Sequence, residues 1–374
     1  MSQKKVLFNL IYPTKDIGGG WNYIENFISA IFSNKKSINY EFYALCNDES
    51  IDLVHKFLPS KNVEVCITVK DSKNYLRRIY HENIYTRRYS AKKGIDIQHW
   101  FGNVAGPLVK TKNLITLHDL LFWDDLENIP RRFYQKNMIR LNVLGDNNLF
   151  LPISFKTKHD LKRKTGTAKI GQVIPNPLPD EYGDVNSINK EDFLIKYNLQ
   201  EPYILYVSHT YMHKNHINLL KAFKEIKSEF KNLKLVFRAD PKANHENVVN
   251  TVSELDLENK IIWMPRLSAK EMQLLYKGAK AMIFPSKYEG GGIPLMEAFA
   301  CRCPVACSSL EVFKEYYGDI PIYFDEKNVE DMVSSIIMLI SDTNLREQVK
   351  ERGYNYMQSF RYSSISEKII GMYT

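Results

Sequence analysis

Glu289 and Glu297 bracket three consecutive glycines and a proline in the stretch FPSKYEGGGIPLMEAFACRCP, Phe284 to Pro304. The run Gly290, Gly291, Gly292 carries a large conformational entropy cost, and such a run is useful where bare backbone N–H groups must approach a ligand closely. Pro294 suits the first turn of a helix, where a missing N–H costs nothing. The glycines therefore lie against a helix N-terminus and its partial positive charge, and the ligand implied is an anion. Two carboxylates beside that loop would repel a phosphate. They are read instead as acceptors of hydroxyl hydrogen bonds, one from a ribose and one from a sugar. Lys214, in SHTYMHKNHINLLKAF, poses a matching problem. A lysine at the positive end of a helix is unfavourable by about 0.3–1 kcal/mol, and a bound diphosphate would reverse that sign. A flexible loop and a lysine extended into water would explain either feature taken alone.

These residues need a scaffold, and the rest of the chain reads as alternating strands and helices, the pattern of an α/β doubly wound parallel sheet. In the first half, strands are expected at Val6–Ile11, Tyr40–Leu45, Val63–Val69, Ile95–Trp100, Leu114–Leu117, Leu149–Pro152 and Gln172–Ile174. Helices are expected at Trp21–Ser33, Lys73–Ser90, Pro130–Asn142 and Ser154–Thr165. The prolines of PNPLPDEYGD, Pro175 to Asp184, suit a semi-rigid connector. The pattern then restarts with strands Tyr203–Val207, Leu233–Phe237, Ile261–Trp263, Ala281–Phe284, Val305–Cys307 and Ile322–Phe324. Asn215 or a near neighbour is expected to cap a helix over Ile217–Ile226. Two Rossmann-like domains are predicted, residues 1–180 and 181–360, facing a central cleft suited to two substrates.

The chain has 374 residues and a net charge of +8. Residues 1–200 hold 29 basic against 21 acidic side chains, and residues 201–374 hold 22 of each. An excess confined to one half points to an anionic partner. On a helical wheel over 73–93, Arg77, Arg78, His81, Arg88 and Lys92 share one arc, opposite Leu76, Ile79, Tyr80 and Ile84. With Lys156, Lys158, Lys162, Arg163 and Lys164 this arc is read as facing an anionic membrane surface, about 1 kcal/mol per basic residue near the headgroups. No recognised nucleic-acid motif accompanies the charge. No apolar run reaches the roughly 18–20 residues needed to span a bilayer. Val6–Ile11 is read as a strand rather than a signal sequence, and the five cysteines as reduced thiols, with Cys301, Cys303 and Cys307 packing a core rather than binding zinc. The expected location is cytoplasmic, peripheral on the inner face of the plasma membrane.

The segment around Glu289 resembles the E-x7-E signature of the family-4 (group 1) glycosyltransferases, retaining enzymes of GT-B fold that use sugar nucleotides. Their pattern runs close to PS-x-x-E-G-F-G-(L/I)-P-x-x-E-A-M-A-x-G-x-P-V. Here Gly291 stands for the usual Phe and Arg302 for a usual Gly. The resemblance covers nearly the whole chain, through an early glycine turn, Thr116-Leu117-His118-Asp119, an Ile-Pro-Asn connector and the Lys214-Asn215 pair. It implies a final helix, 361–374, packed back onto the first domain. It also implies donor contacts from Gly19, Gly20, Ser208, His209, Lys214, Arg266, Leu267, Glu289, Gly290, Gly291, Gly292, Ile293, Pro294, Leu295 and Glu297. Lys214 would hold the diphosphate, His118 the donor sugar near the acceptor, Glu289 the sugar hydroxyls and Glu297 the ribose. Asp119 would orient the His118 ring, and His99 is a candidate for the acceptor side. Position 209 commonly holds an arginine in that family, and this chain has His209.

The activity so implied is transfer of a hexose from a UDP-, GDP- or other nucleotide-diphosphate sugar to a hydroxyl of a glycan acceptor, lipid-linked or soluble, with retained configuration. His118, Glu289 and Lys214 are the expected catalytic residues. No metal and no cofactor are expected, because His209, His213 and His216 lack a recognised ligand spacing and no D-x-D element is present. The glycines at 18–20 make no G-x-G-x-x-G fingerprint, which disfavours a nicotinamide cofactor. Two rivals share the fold: a nucleotide-sugar epimerase and a non-catalytic sugar-nucleotide-binding protein.

Overall fold

The structure, a computed structural model, describes residues 3–11, 19–55, 63–69, 75–123, 129–184, 189–199 and 202–374. The chain divides into two compact units, Met1–Asp180 with Phe360–Thr374, and Glu181–Ser359.

In the first unit the strands are β1 (Lys4–Leu10), β2 (Tyr40–Asn47), β3 (Val63–Val69), β4 (Ile97–Trp100), β5 (Lys112–Leu117) and β6 (Asn148–Pro152). They form one parallel sheet in the order β3-β2-β1-β4-β5-β6. Its helices are α1 (Gly19–Ser33), α2 (Ile51–His55), α3 (Tyr75–Tyr80), α4 (Thr86–Lys93), α5 (Ile129–Leu144) and α6 (Phe155–Thr165). Strands covered on both faces read as nearly continuous apolar runs, and Val6, Leu7, Phe8 and Leu10 are all fully buried. The expected strand at Gln172–Ile174 does not form. That segment instead meets β6 at separate points, Gly171 N to Phe150 O and Ile174 N to Pro152 O, without a continuous ladder.

In the second unit α7 (Lys190–Lys196) precedes β7 (Tyr203–Val207), α8 (His216–Ile226), β8 (Lys234–Arg238), α9 (His245–Glu254), β9 (Ile261–Met264), α10 (Ala269–Gly278), β10 (Ala281–Phe284), α11 (Ile293–Ala300) and β11 (Val305–Ser308). Then come α12 (Glu311–Tyr317), β12 (Ile322–Phe324), α13 (Val329–Ser341) and α14 (Thr343–Met357). The parallel order β12-β11-β10-β7-β8-β9 reverses direction between β10 and β7. At such a switch point the loops leaving two adjacent strands diverge and open a crevice at the strands' C-terminal ends. Here those loops are 208–215 and 285–292, which hold Lys214 and Glu289.

The last helix, α15 (Tyr362–Ile370), belongs to the first unit. Leu178 N donates to Phe360 O at 2.8 Å and Tyr362 N to Leu178 O at 2.9 Å, while Arg361 Nη1 reaches Pro179 O at 2.7 Å. The helix packs on α1.

The expected helix over 73–90 is broken. Lys73 lies outside the described residues, and between α3 and α4 the chain makes a π turn, His81–Tyr85. The amphipathic reading of this segment is overturned. The buried stripe is polar, Arg78, Glu82, Asn83, Thr86 and Ser90, and it is matched by polar partners. Arg78 pairs with Glu82 at 2.8 Å, Tyr134 donates to Glu82 at 3.1 Å, and Gln98 donates to Ser90 Oγ at 2.9 Å. Ile79, Tyr80 and Ile84 face solvent. A π turn adds residues to a turn, so a wheel drawn at α pitch misplaces the faces on its far side.

Candidate active site

The switch point of the second sheet brings Lys214 and Glu289 together. Lys214 closes a 3-10 turn, Met212–Lys214, just before α8. The Tyr206 hydroxyl donates to the Lys214 carbonyl, and Lys287 N donates to His213 O at 2.7 Å. The two loops are thereby stitched to each other and to β7. Asn215 stands at the N-cap position with φ of 60°, but its side chain does not cap the helix. Its Nδ2 donates instead to Pro285 O at 3.0 Å and Glu326 O at 2.8 Å, so the expected cap is corrected to a cross-loop tie. The Lys214 ammonium lies 2.6 Å from Glu289 Oε1, and both side chains are mostly buried. In this contact each charge neutralises the other. A diphosphate for the ammonium and a hydroxyl for the carboxylate would replace this contact without leaving either group unpaired.

Gly292 supplies the N-cap of α11 at φ of 64°, with Pro294 in the first turn. A Cβ at Gly292 would sit 2.6 Å from Cε1 of Phe313, so both conformation and space demand glycine there. The amides of Gly290, Gly291 and Gly292 donate to no acceptor among the described residues. They stand beside Ile293, Pro294 and Leu295 at the helix's positive end, which is the arrangement an anion requires. Glu297, further along α11, receives a hydrogen bond from Tyr276 at 2.8 Å. Burial pushes its carboxyl up to about 7, against the pull of that hydrogen bond. A hydroxyl donor arriving at Glu297 would favour its ionised form.

At the end of β8 lies a cluster that the residue types alone did not single out. Asp240 accepts from Arg238 Nη1 at 2.9 Å and Arg266 Nη2 at 3.3 Å, and His209 Nδ1 stands 3.7 Å away. His209 and Arg266 are thus gathered on one carboxylate. Ser208 N donates to Arg238 O at 3.1 Å, which fixes the loop's departure from β7. Leu267 is half-buried ahead of Ser268, which caps α10 in a capping box with Glu271. The signal available in the sequence was three charged or polar residues at a strand end, Arg238, Asp240 and Lys242, in place of apolar ones. The three histidines do not converge. His213 stacks on Tyr211, and His216 is buried against Tyr206 and Phe237. No group of three or more His, Cys, Asp or Glu forms a metal-binding cluster among the described residues.

In the first unit His118 follows β5. Its Nε2 lies 3.0 Å from Phe101 O. A carbonyl only accepts, so Nε2 carries the proton and Nδ1 presents a lone pair. Burial holds the ring below its ordinary pKa, and Tyr23 packs edge-on against it. The expectation that Asp119 orients this ring is corrected: Phe101 does so, and Asp119 Oδ1 accepts from Leu121 N at 2.9 Å. His99 is corrected as well. It is fully buried, with Nδ1 2.6 Å from the Tyr373 hydroxyl and Nε2 2.8 Å from Thr116 Oγ1. Both ring nitrogens are occupied and burial pushes its pKa down to about 3, so no acceptor reaches it. Gly19 and Gly20 open α1 rather than forming a loop, and Gly18 lies outside the described residues.

Residues 188–356 match the glycosyl transferases group 1 family. That match takes in just under half of the chain, all of it within the second unit. Among curated relatives, the chain is 29% identical over 237 residues to the O-antigen chain mannosyltransferase RfbU of Salmonella typhimurium, covering 62% of this chain and 63% of that one. The O-antigen chain mannosyltransferase B of Escherichia coli is 26% identical over 182 residues, 48% of each. The chain thus spans between about half and just under two thirds of the length of these relatives. WaaG, a glycosyltransferase involved in lipopolysaccharide biosynthesis, superposes with a TM-score of 0.75 at 16% identity over 99% of both chains. The fold is accordingly GT-B.

Proposed function

We propose that the chain transfers a hexose from a nucleotide-diphosphate sugar to a hydroxyl of a glycan acceptor, with the anomeric configuration retained and without a metal. The observation that carries this reading is the Lys214–Glu289 pair, 2.6 Å apart at the switch point beside the Gly290–Gly292 amides, which find no acceptor among the described residues. Departure of the diphosphate from a carbon that becomes cation-like is the hard event. Lys214, the glycine amides and the start of α11 would stabilise the departing charge, preorganised where it develops. Glu289 would hold sugar hydroxyls and Glu297 the ribose. His118 Nδ1 would accept from a donor-sugar hydroxyl. The leaving phosphate would take the acceptor's proton on the same face. Mannose is the favoured sugar, because the curated relatives named above are mannosyltransferases.

The acceptor is read as a lipid-linked saccharide and the enzyme as peripheral on an anionic membrane. Support comes from the first unit, where exposed Ile79, Tyr80 and Ile84 alternate with exposed Arg77, Arg87 and Arg88, and Phe133 on α5 is 72% exposed. No helix among the described residues is long and apolar enough to cross a membrane.

The deciding experiment incubates the chain with UDP-, GDP-, ADP- and dTDP-sugars, with and without a lipid-linked saccharide acceptor, and follows product by mass spectrometry. An acceptor extended by one hexose is expected. Isomerised donor in the absence of acceptor would mark an epimerase, and binding without turnover a silent binding protein.

A further inference from the structure

The charges at the C-terminal edge of β7 and β8 do not cancel. Arg238 and Arg266 share a single carboxylate, Asp240, and Lys242 acts on the neighbouring His209, while Lys214 is already neutralised by Glu289. Burial pushes the Asp240 carboxyl up, but Arg238, His209 and Arg266 outweigh it and hold it below its ordinary value. His209 adds no charge of its own. Burial holds its imidazole down; Asp240 pulls up, but Lys242, Arg238 and Lys214 push down again. All four of these charged groups therefore lie within electrostatic reach of one ring, and the balance around it is positive.

Arg238 is the last residue of β8, paired with Val207 in register, and its side chain is only 13% exposed. A guanidinium offers five donors in a rigid fork. Among the described residues this one gives Nη1 to Asp240, and its Nε is buried with no acceptor. A permanent cation that is mostly buried and so sparsely bonded is costly unless an anion completes it.

We infer that Arg238 supplies the second cation for the donor's diphosphate, a role that an arginine at position 209 could fill and His209 does not. The inference rests on the reading of Lys214 and Glu289 as the donor site and extends it by one residue. A nucleotide-diphosphate sugar carries one negative charge on each phosphate. Lys214, released when sugar hydroxyls satisfy Glu289, meets one of them. Arg238 turns from Asp240 to the other, and Asp240 keeps Arg266 as its partner.

Calorimetric titration of the full chain with a nucleoside diphosphate and with its parent nucleoside separates phosphate contacts from base contacts. UDP, GDP, ADP and dTDP are tried first, and the tightest is carried forward with its nucleoside. Arg238→Gln is expected to weaken the diphosphate about tenfold to a hundredfold, to reduce the salt dependence of its affinity, and to leave the nucleoside unchanged. His209→Arg in the Arg238→Gln background is expected to recover most of the loss. If Arg238→Gln does not fold, Arg238→Lys replaces it, with a smaller loss of diphosphate affinity and the nucleoside again unchanged. Equal weakening of nucleoside and diphosphate, or no weakening of either, overturns the role of Arg238; the donor site itself still stands if Lys214→Ala abolishes diphosphate binding. A wild-type chain that binds none of the four diphosphates overturns both.

Discussion

A lysine and a glutamate in mutual contact inside a ligand site make stability and activity separable. Removing one partner leaves the other mostly buried and uncompensated, so Lys214→Met or Glu289→Gln alone is expected to cost about 1–3 kcal/mol, below the cost for fully buried pairs. The double variant should unfold closer to wild type than the two single costs summed, because it leaves no stranded charge. Chemical denaturation of the four proteins reads this directly. Transfer activity should be about a hundredfold to a thousandfold lower in all three variants, since the leaving charge has lost its ammonium or the sugar its acceptor. Glu297 makes a pH prediction. Its carboxyl is raised to about 7 by burial, so the folded chain holds a proton that the unfolded chain releases. The associated stability is complete below the ordinary carboxyl range and is lost as pH rises through about 7. The melting temperature of wild type relative to Glu297→Gln is therefore expected to fall between about pH 5 and about pH 8. A constant difference would show that Glu297 is ionised throughout.

Two loops must be held in register for those side chains to meet, and single residues lock them. Gly292 does so through a left-handed backbone and close contact with the Phe313 ring. Gly292→Ala is expected to cost about 1–3 kcal/mol from strain alone, with a further penalty as Phe313 shifts, measurable as a lowered denaturation midpoint. The segment α3, π turn and α4 shows the opposite logic to a surface amphipathic helix. Its polar stripe faces Gln98, Asn9 and Tyr134, and its apolar residues face outward. If that apolar face enters a membrane, Ile79→Ser, Tyr80→Ser and Ile84→Ser combined should reduce binding to phosphatidylglycerol vesicles at least about tenfold in cosedimentation. Fold and donor binding should be untouched, because these side chains support no internal contact of the donor site.

At the scale of the molecule, the C-terminal segment is part of the first unit. Phe360–Thr374 closes against Leu178, α1 and β1, and the Tyr373 hydroxyl completes the buried His99. Tyr373→Phe strands His99 Nδ1 in a dry core, at an expected cost of about 1–3 kcal/mol. Removal of the chain after Ser359 should destabilise the first unit selectively. Denaturation followed separately in the two units, for example through Trp100 and Trp123 in the first and Trp263 in the second, distinguishes that outcome from global unfolding.

The strand periodicity, the proline connector, and the glycine loop with its flanking acids were legible because each rests on local chemistry: apolar runs, fixed φ, and backbone exposure. Tertiary structure alone decided which polar side chains were spent internally. His99 and His118 both stand near strand ends, yet one is sealed between Thr116 and Tyr373 and the other keeps a nitrogen free of its Phe101 contact. Arg238 and Asp240 had no motif to mark them, and they meet His209 and Arg266 only because β8 lies between β7 and β9. The helix wheel over 73–93 failed for a related reason. Hydropathy predicts burial when a helix faces an apolar sheet, whereas this sheet presents Asn9 and Gln98, and hydrogen bonding to them outweighs the burial of Ile79 and Ile84.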